Sequence, residues 1–116
     1  MQNKAAKFEN GINAEMLVSK ALLDEGYIKI AHRYKTKVGE IDLIFLRGKE
    51  LVFVEVKSRK DNYFQDCVSS KQIERIFAAG EMYINDNSIY KNHDHRYDLV
   101  LVCNGQIVEW MKGISL

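Results

Sequence analysis

Two short runs rich in β-branched residues, separated by a tight turn, constrain the fold of this chain most strongly. They cover residues 40–46 and 51–58. Gly48 can take the positive φ that the first central position of a type II′ turn requires, so we predict a β-hairpin. In the register that this turn sets, Asp42 faces Glu55 across the two strands.

The remaining chain alternates helices and strands in an order that suits a mixed sheet. In chain order we predict a helix over about 4–25, strands over 27–35, 40–46 and 51–58, a helix from Ser69 or Ser70 to about 84, and strands over 97–103 and 106–111. The second helix supplies the crossover that a parallel pair of strands needs. The predicted fold class is therefore α/β, a mixed five-stranded sheet flanked by helices.

The length of the chain and its cysteines indicate how many domains it has and in which compartment it resides. A chain of 116 residues suits one domain, residues 1–116, around one core. Cys67 and Cys103 lie far apart without metal-ligand spacing, so we interpret them as free thiols of a reducing compartment. No apolar run approaches the roughly 20 residues that span a bilayer, and the start lacks a secretory signal. We expect a cytoplasmic protein without a membrane partner.

Basic residues concentrate in the middle of the chain. Residues 29–60 carry nine basic and four acidic side chains, whereas the whole chain has a net charge of only +1. Such a segment attracts a phosphate-rich partner, although a solvated strand face explains any single charge equally well. The candidates for contact with a nucleic-acid backbone are Arg33, Lys35, Lys37, Arg59, Lys60 and Lys71. For Lys71 a solvated first helical turn is an equally good explanation.

Three acidic residues and one lysine form the candidate catalytic set. Asp42 and Glu55, placed opposite one another, repel unless a cation lies between them, and Lys57 projects from the same face as Glu55. Glu15 follows Phe8 and Ile12 on the apolar stripe of the first helix, which could bring it to the same place. The alternative is that these charges form ordinary ion pairs at an exposed sheet end.

The two strands also carry a family resemblance. The segments at 39–44 (GEIDLI) and 53–59 (FVEVKSR) resemble the bacterial YraN family, the uncharacterised protein family 0102. That family is similar to archaeal Holliday-junction resolvases and to the PD-(D/E)xK nucleases. The resemblance implies a restriction-endonuclease-like fold, Mg²⁺ or Mn²⁺ bound by Asp42 and Glu55, Lys57 assisting the attacking water, and Glu15 as an auxiliary acid.

This chain departs from the pattern at several positions. Ile41 stands at the nominal proline, Arg33 where the family often has asparagine, and residues 64–66 where it has a glycine-rich loop. The last two differences leave the substrate open. The resemblance implies a metal-dependent endonuclease acting on DNA, branched DNA included, and a homodimer by analogy. The rivals are a non-catalytic nucleic-acid-binding or adaptor domain, and a site whose metal only stabilises the fold. His93 and His95, in a predicted polar loop, are weaker metal candidates, and Asp98 is expected to bond locally.

Overall fold

The computed structural model of the protein describes residues 4–60 and 69–115, with side chains in the first helix from Asn13 onward. The elements are α1 (Lys4–Asp24), β1 (Ile28–Lys35), β2 (Glu40–Arg47), β3 (Glu50–Arg59), α2 (Ser70–Asp86), a short 3-10 turn (Ser88–Tyr90), β4 (Asp94–Cys103) and β5 (Gln106–Met111). The predicted order of helices and strands is confirmed. Residues 64–66 and Cys67, and the side chains of Phe8 and Ile12, lie outside the described part. No described helix is long and apolar enough to cross a membrane.

Local chemistry explains where the elements begin and turn. Ser69 is the N-cap of α2, because its hydroxyl accepts from the Gln72 backbone N–H while the Gln72 side chain accepts from the Ser69 N–H. Gly48 takes a φ of 59°, as the predicted hairpin turn between β2 and β3 requires. Asn104 and Gly105 both take positive φ, 51° and 75°, in the turn before β5.

The five strands form one sheet in sequential order. β3 and β4 are parallel, with α2 as their connection, and the other neighbours are antiparallel. The predicted register of the central hairpin is confirmed by the pairs Arg47–Glu50 and Leu46–Leu51. The mixed sheet with its two helices is consistent with a restriction-endonuclease-like fold.

The start of β4 corrects one prediction. The segment at 93–95 was expected to be a polar loop, but Asp94 and His95 lie in β4, opposite Glu50 and Leu51 of β3. The Asp94 N–H donates to the Lys49 carbonyl at 2.8 Å. The long-range backbone pairing therefore extends the strand through polar residues, whose side chains remain exposed.

Each helix covers one face of the sheet. α1 packs Val18 and Leu22 on a face that includes Val52 and Val54, whereas α2 packs Ile76 and Ala79 on a face that includes Ile44 and Phe53. The alternation predicted for β3 is thus confirmed, since odd and even residues belong to different cores. The sheet therefore lies between the two helices.

The regular alternation of β2 ends next to Asp42. Leu43 belongs to the core under α1, but Ile41 packs in the core under α2, so these two residues do not share a face as a flat strand would require. The β2–β3 ladder begins at the pair Leu43–Val54. On the other side, Arg33 of β1 takes a left-handed φ of 50°. The sheet is therefore irregular beside Asp42, one of the acidic residues in the predicted catalytic set.

Candidate metal centre and basic surface

Asp42 and Glu55 meet where the β2–β3 ladder stops. The carboxyl groups of the two residues are close enough to share a hydrogen bond. Asp42 Oδ2 also accepts from the Val56 backbone N–H at 2.8 Å. The Asp42 side chain thereby takes the place of a strand carbonyl, which ties β2 to β3 just beyond the last ladder pair.

Burial of this carboxyl pair raises the pKa of Glu55. Loss of solvent raises the pKa of Glu55 strongly, and the hydrogen bond and charge of Asp42 raise it further. Lys57 lowers the Glu55 pKa by a smaller amount, and Glu40 raises it. Two carboxyl groups in contact cannot both ionise without a cation between them. In the protein without metal, the pair therefore retains a proton at neutral pH.

Glu15 joins the same cluster from the first helix. Its side chain is only 16% exposed, and its Oε2 accepts from Arg33 Nη2 at 3.2 Å. Burial and the neighbouring Asp42 raise the Glu15 pKa, while Arg33 lowers it. The α1 position predicted from the apolar stripe thus brings Glu15 close to Asp42. Arg33, a candidate phosphate contact, is the counterion of Glu15 in this structure.

We define the acid cluster as Glu15, Asp42 and Glu55. Among the described residues, no group of three or more His, Cys, Asp or Glu side chains is arranged to hold a metal ion. Asp42 and Glu55 together offer carboxylate oxygens, which are the donors that Mg²⁺ prefers. Mg²⁺ commonly keeps several waters and binds through one or two carboxylates, so this pair fits such an ion without Glu15 as a third ligand.

The other basic candidates lie at three places on the surface. Lys35 and Lys37 border an open groove beside the β1–β2 turn. Arg59 and Lys60, at the end of β3, border a second cavity of about 240 Å³. Lys71 is exposed in the first turn of α2. Their contact with nucleic acid stays a prediction.

Two arginines of interest are not among the site residues predicted from the sequence. Arg75 of α2 borders the same groove as Lys35 and Lys37, although it lies far from them along the chain. Arg96 forms a bidentate pair with Asp98, at 2.9 Å for each hydrogen bond. Two residues separated by one position on a strand place their side chains on the same face, so the Arg-x-Asp spacing could have indicated the Arg96–Asp98 pair.

Asp98 is a structural residue. It is 1% exposed, and besides Arg96 it accepts from Trp110 Nε1 at 2.9 Å and from the Gly113 N–H at 3.1 Å. Arg96 also donates to Glu50 at 3.0 Å. The expectation that Asp98 bonds locally is confirmed, and this network joins β3, β4 and the segment after β5.

Comparison with known proteins identifies the family. The model of the uncharacterised protein family UPF0102 matches residues 14–102. A UPF0102 protein of Saccharophagus degradans is 37% identical over 108 residues, which cover 90% of this chain and 91% of that protein. One from Shewanella sediminis is 38% identical over 112 residues, covering 94% and 93%. A third, from a Chelativorans species, is 40% identical over 96 residues, covering 82% and 77%. The chain therefore belongs to the uncharacterised protein family UPF0102.

Proposed function

We propose that this protein is a divalent-metal-dependent endonuclease that hydrolyses phosphodiester bonds in DNA, branched DNA included. The observation that carries the proposal is the contact between Asp42 and Glu55 at the end of the β2–β3 ladder, with Lys57 within electrostatic reach of Glu55. Two ionisable acids that share a proton, with a cationic side chain alongside, are typical of sites for metal-assisted phosphate chemistry.

Asp42, Glu55 and Lys57 have different roles in the proposed reaction. Asp42 and Glu55 would release their shared proton and hold the cation, Mg²⁺ or Mn²⁺. When bound, that cation neutralises charge on the phosphate and eases deprotonation of the attacking water. As the water oxygen bonds to phosphorus and the bond from phosphorus to the leaving oxygen breaks, Lys57 would stabilise the negative charge on the phosphoryl oxygens, and the released oxygen takes up a proton from solvent.

The surrounding residues prepare the acids. The Val56 N–H fixes Asp42 through a hydrogen bond of 2.8 Å, so that the carboxylate is oriented before a cation arrives. Arg33 neutralises Glu15 and keeps that third acid from adding full negative charge beside the substrate phosphate. Glu15 is the auxiliary acid of this proposal, and it acts on Asp42 through its charge and not as a metal ligand.

A non-catalytic nucleic-acid-binding domain is the second candidate. The observation that favours it is that the described acids form no group of three metal ligands. In that case the protonated carboxyl pair would only join β2 to β3, and the basic residues would still bind nucleic acid. The two candidates differ in turnover and in the effect of Mn²⁺.

A cleavage assay separates these candidates. Purified protein is incubated with linear duplex, single-stranded and four-way DNA, with Mn²⁺, with Mg²⁺ or with EDTA. The nuclease proposal predicts cleavage that needs the metal and disappears in Asp42→Asn and Glu55→Gln. Lys57→Ala is expected to keep metal binding and lose cleavage. Glu109→Gln, which removes a carboxyl from an exposed position of β5, is the matched control.

A further inference from the structure

The loop between β1 and β2 packs directly against α2 and forms one wall of an open groove. Residues 35–40 and Arg75 line it, and its volume is about 740 Å³. A Cβ atom added to Gly39 would lie 2.9 Å from the Arg75 carbonyl oxygen and 3.1 Å from its Cβ. Only a glycine allows the loop to approach the helix backbone this closely.

The loop is held in one conformation by its own hydrogen bonds. The Thr36 hydroxyl donates to the Gly39 carbonyl at 2.8 Å and accepts from the N–H groups of Val38 and Gly39 at 3.1 and 3.0 Å. The Thr36 N–H also donates to the Gly39 carbonyl, at 2.8 Å. The groove wall is thus formed before any ligand binds, so little conformational entropy is lost on binding.

Three positively charged side chains line this groove and, among the described residues, do not contribute ion pairs to the fold. Lys35, Lys37 and Arg75 are exposed, and within the described residues none of them forms a side-chain hydrogen bond or an ion pair. Among the described residues that line it, Glu40 is the only acidic one. The lining therefore carries a net charge of +2, and a polyanion is the ligand it complements.

Glu40 connects the groove to the acid cluster. It lines the groove and is the first residue of β2, two positions before Asp42. A phosphate held by the three cations would therefore lie near the carboxyl pair. The described residues that line the groove include no aromatic side chain, so they offer bases no surface on which to stack. The expected contacts are with sugar and phosphate, without base readout.

We infer that the groove between the β1–β2 loop and α2 binds the phosphodiester backbone of a nucleic-acid strand, with Arg75 as a contact from the helix and Gly39 setting the width of the groove. The inference rests on the proposed function, because it supplies the position of the substrate strand. It adds a residue from α2 to the two loop lysines and assigns the loop conformation a role.

Binding in EDTA tests the groove separately from cleavage. Anisotropy of a fluorescent DNA duplex is measured against salt for wild type and Arg75→Gln, with Lys49→Gln as the control. Lys49 lies in the turn at the far end of the hairpin, and its replacement removes the same charge. Arg75→Gln should lower affinity about eightfold at 0.1 M salt and reduce the salt slope by about 0.9, as expected for one lost phosphate contact.

A second variant tests the shape of the groove at constant charge. Gly39→Ala keeps every cation but forces the loop away from α2, so its affinity should also fall while circular dichroism stays unchanged. Equal affinities for Arg75→Gln and Lys49→Gln would overturn the inference, as would wild-type binding by folded Gly39→Ala. If polyglutamate of matched charge competes as well as DNA does, the groove is a general anion surface and the inference is wrong.

The outcomes also distinguish the two proposals. A protein that binds through the groove but never cleaves DNA refutes the nuclease and leaves the groove standing. Metal-dependent cleavage with an unchanged salt slope in Arg75→Gln refutes the groove and leaves the nuclease standing.

Discussion

Replacing Glu55 by glutamine should stabilise the metal-free protein, and the gain should grow with pH. In the folded state burial and Asp42 raise the Glu55 pKa far above its ordinary value. In the unfolded chain Glu55 ionises near its usual pKa of about 4.3. Between these two pKa values the folded protein holds one proton more than the unfolded protein.

The sign and size of the effect follow from proton linkage. Because the folded state binds the extra proton, stability from this group is complete below the unfolded pKa and is lost as pH rises toward the folded pKa. The loss is at most about 1.4 kcal/mol per pH unit. From pH 5.5 to 7.5 wild type should therefore lose up to about 3 kcal/mol that Glu55→Gln does not lose. Glutamine can still donate a hydrogen bond to Asp42.

Urea denaturation in EDTA at pH 5.5, 6.5 and 7.5 measures this difference. The unfolding free energy of Glu55→Gln minus that of wild type should increase at each step, with similar m-values. Glu109→Gln controls for removal of an exposed carboxyl. A difference that stays flat or shrinks with rising pH would mean that the carboxyl pair does not retain a proton, and the description of the cluster would be wrong.

Three further predictions concern metal binding by the carboxyl pair and the packing of two other parts of the structure. Because the carboxyl pair must release its proton to bind a cation, the Kd of wild type for Mn²⁺ should fall by up to about tenfold per pH unit between pH 6 and 8, and calorimetry showing a constant Kd would contradict this. Gly80→Ala should destabilise the fold by about 1–3 kcal/mol in urea denaturation, since a Cβ there would overlap ring carbons of Tyr97 at 2.7 and 2.8 Å; unchanged stability would show that the ring can move aside. Asp98→Ala should cost about 3 kcal/mol or more, because Arg96 loses its buried partner; a loss below about 1 kcal/mol in thermal unfolding would argue against a structural network.

The central hairpin and the placement of the three acids could be predicted from short-range patterns in the sequence. A glycine at the turn and β-branched strands were enough for the central hairpin and its register, since both signals act over a few residues. The same register predicted the approach of Asp42 to Glu55, and the apolar stripe of α1 predicted the approach of Glu15. These predictions needed only strand alternation and helix periodicity.

The features that escaped prediction depend on distant parts of the chain. The shift of Ile41 into the core under α2 and the left-handed φ of Arg33 arise where the sheet is irregular beside Asp42. The first residues of β4 are polar and join the strand only because β3 offers a parallel neighbour. Arg75 reaches the groove through the packing of α2 on the β1–β2 loop, which no periodicity within α2 reveals.

The most direct test of the metal centre is diffraction from crystals soaked in Mn²⁺, recorded to detect the anomalous signal of the ion. The proposed site predicts one strong peak about 2.1–2.2 Å from carboxylate oxygens of both Asp42 and Glu55. Crystals of Asp42→Asn soaked in the same way should lose that peak. An empty carboxyl pair, with Mn²⁺ absent or bound only elsewhere, for example at His93 and His95, would contradict the proposal that these two acids hold the catalytic metal.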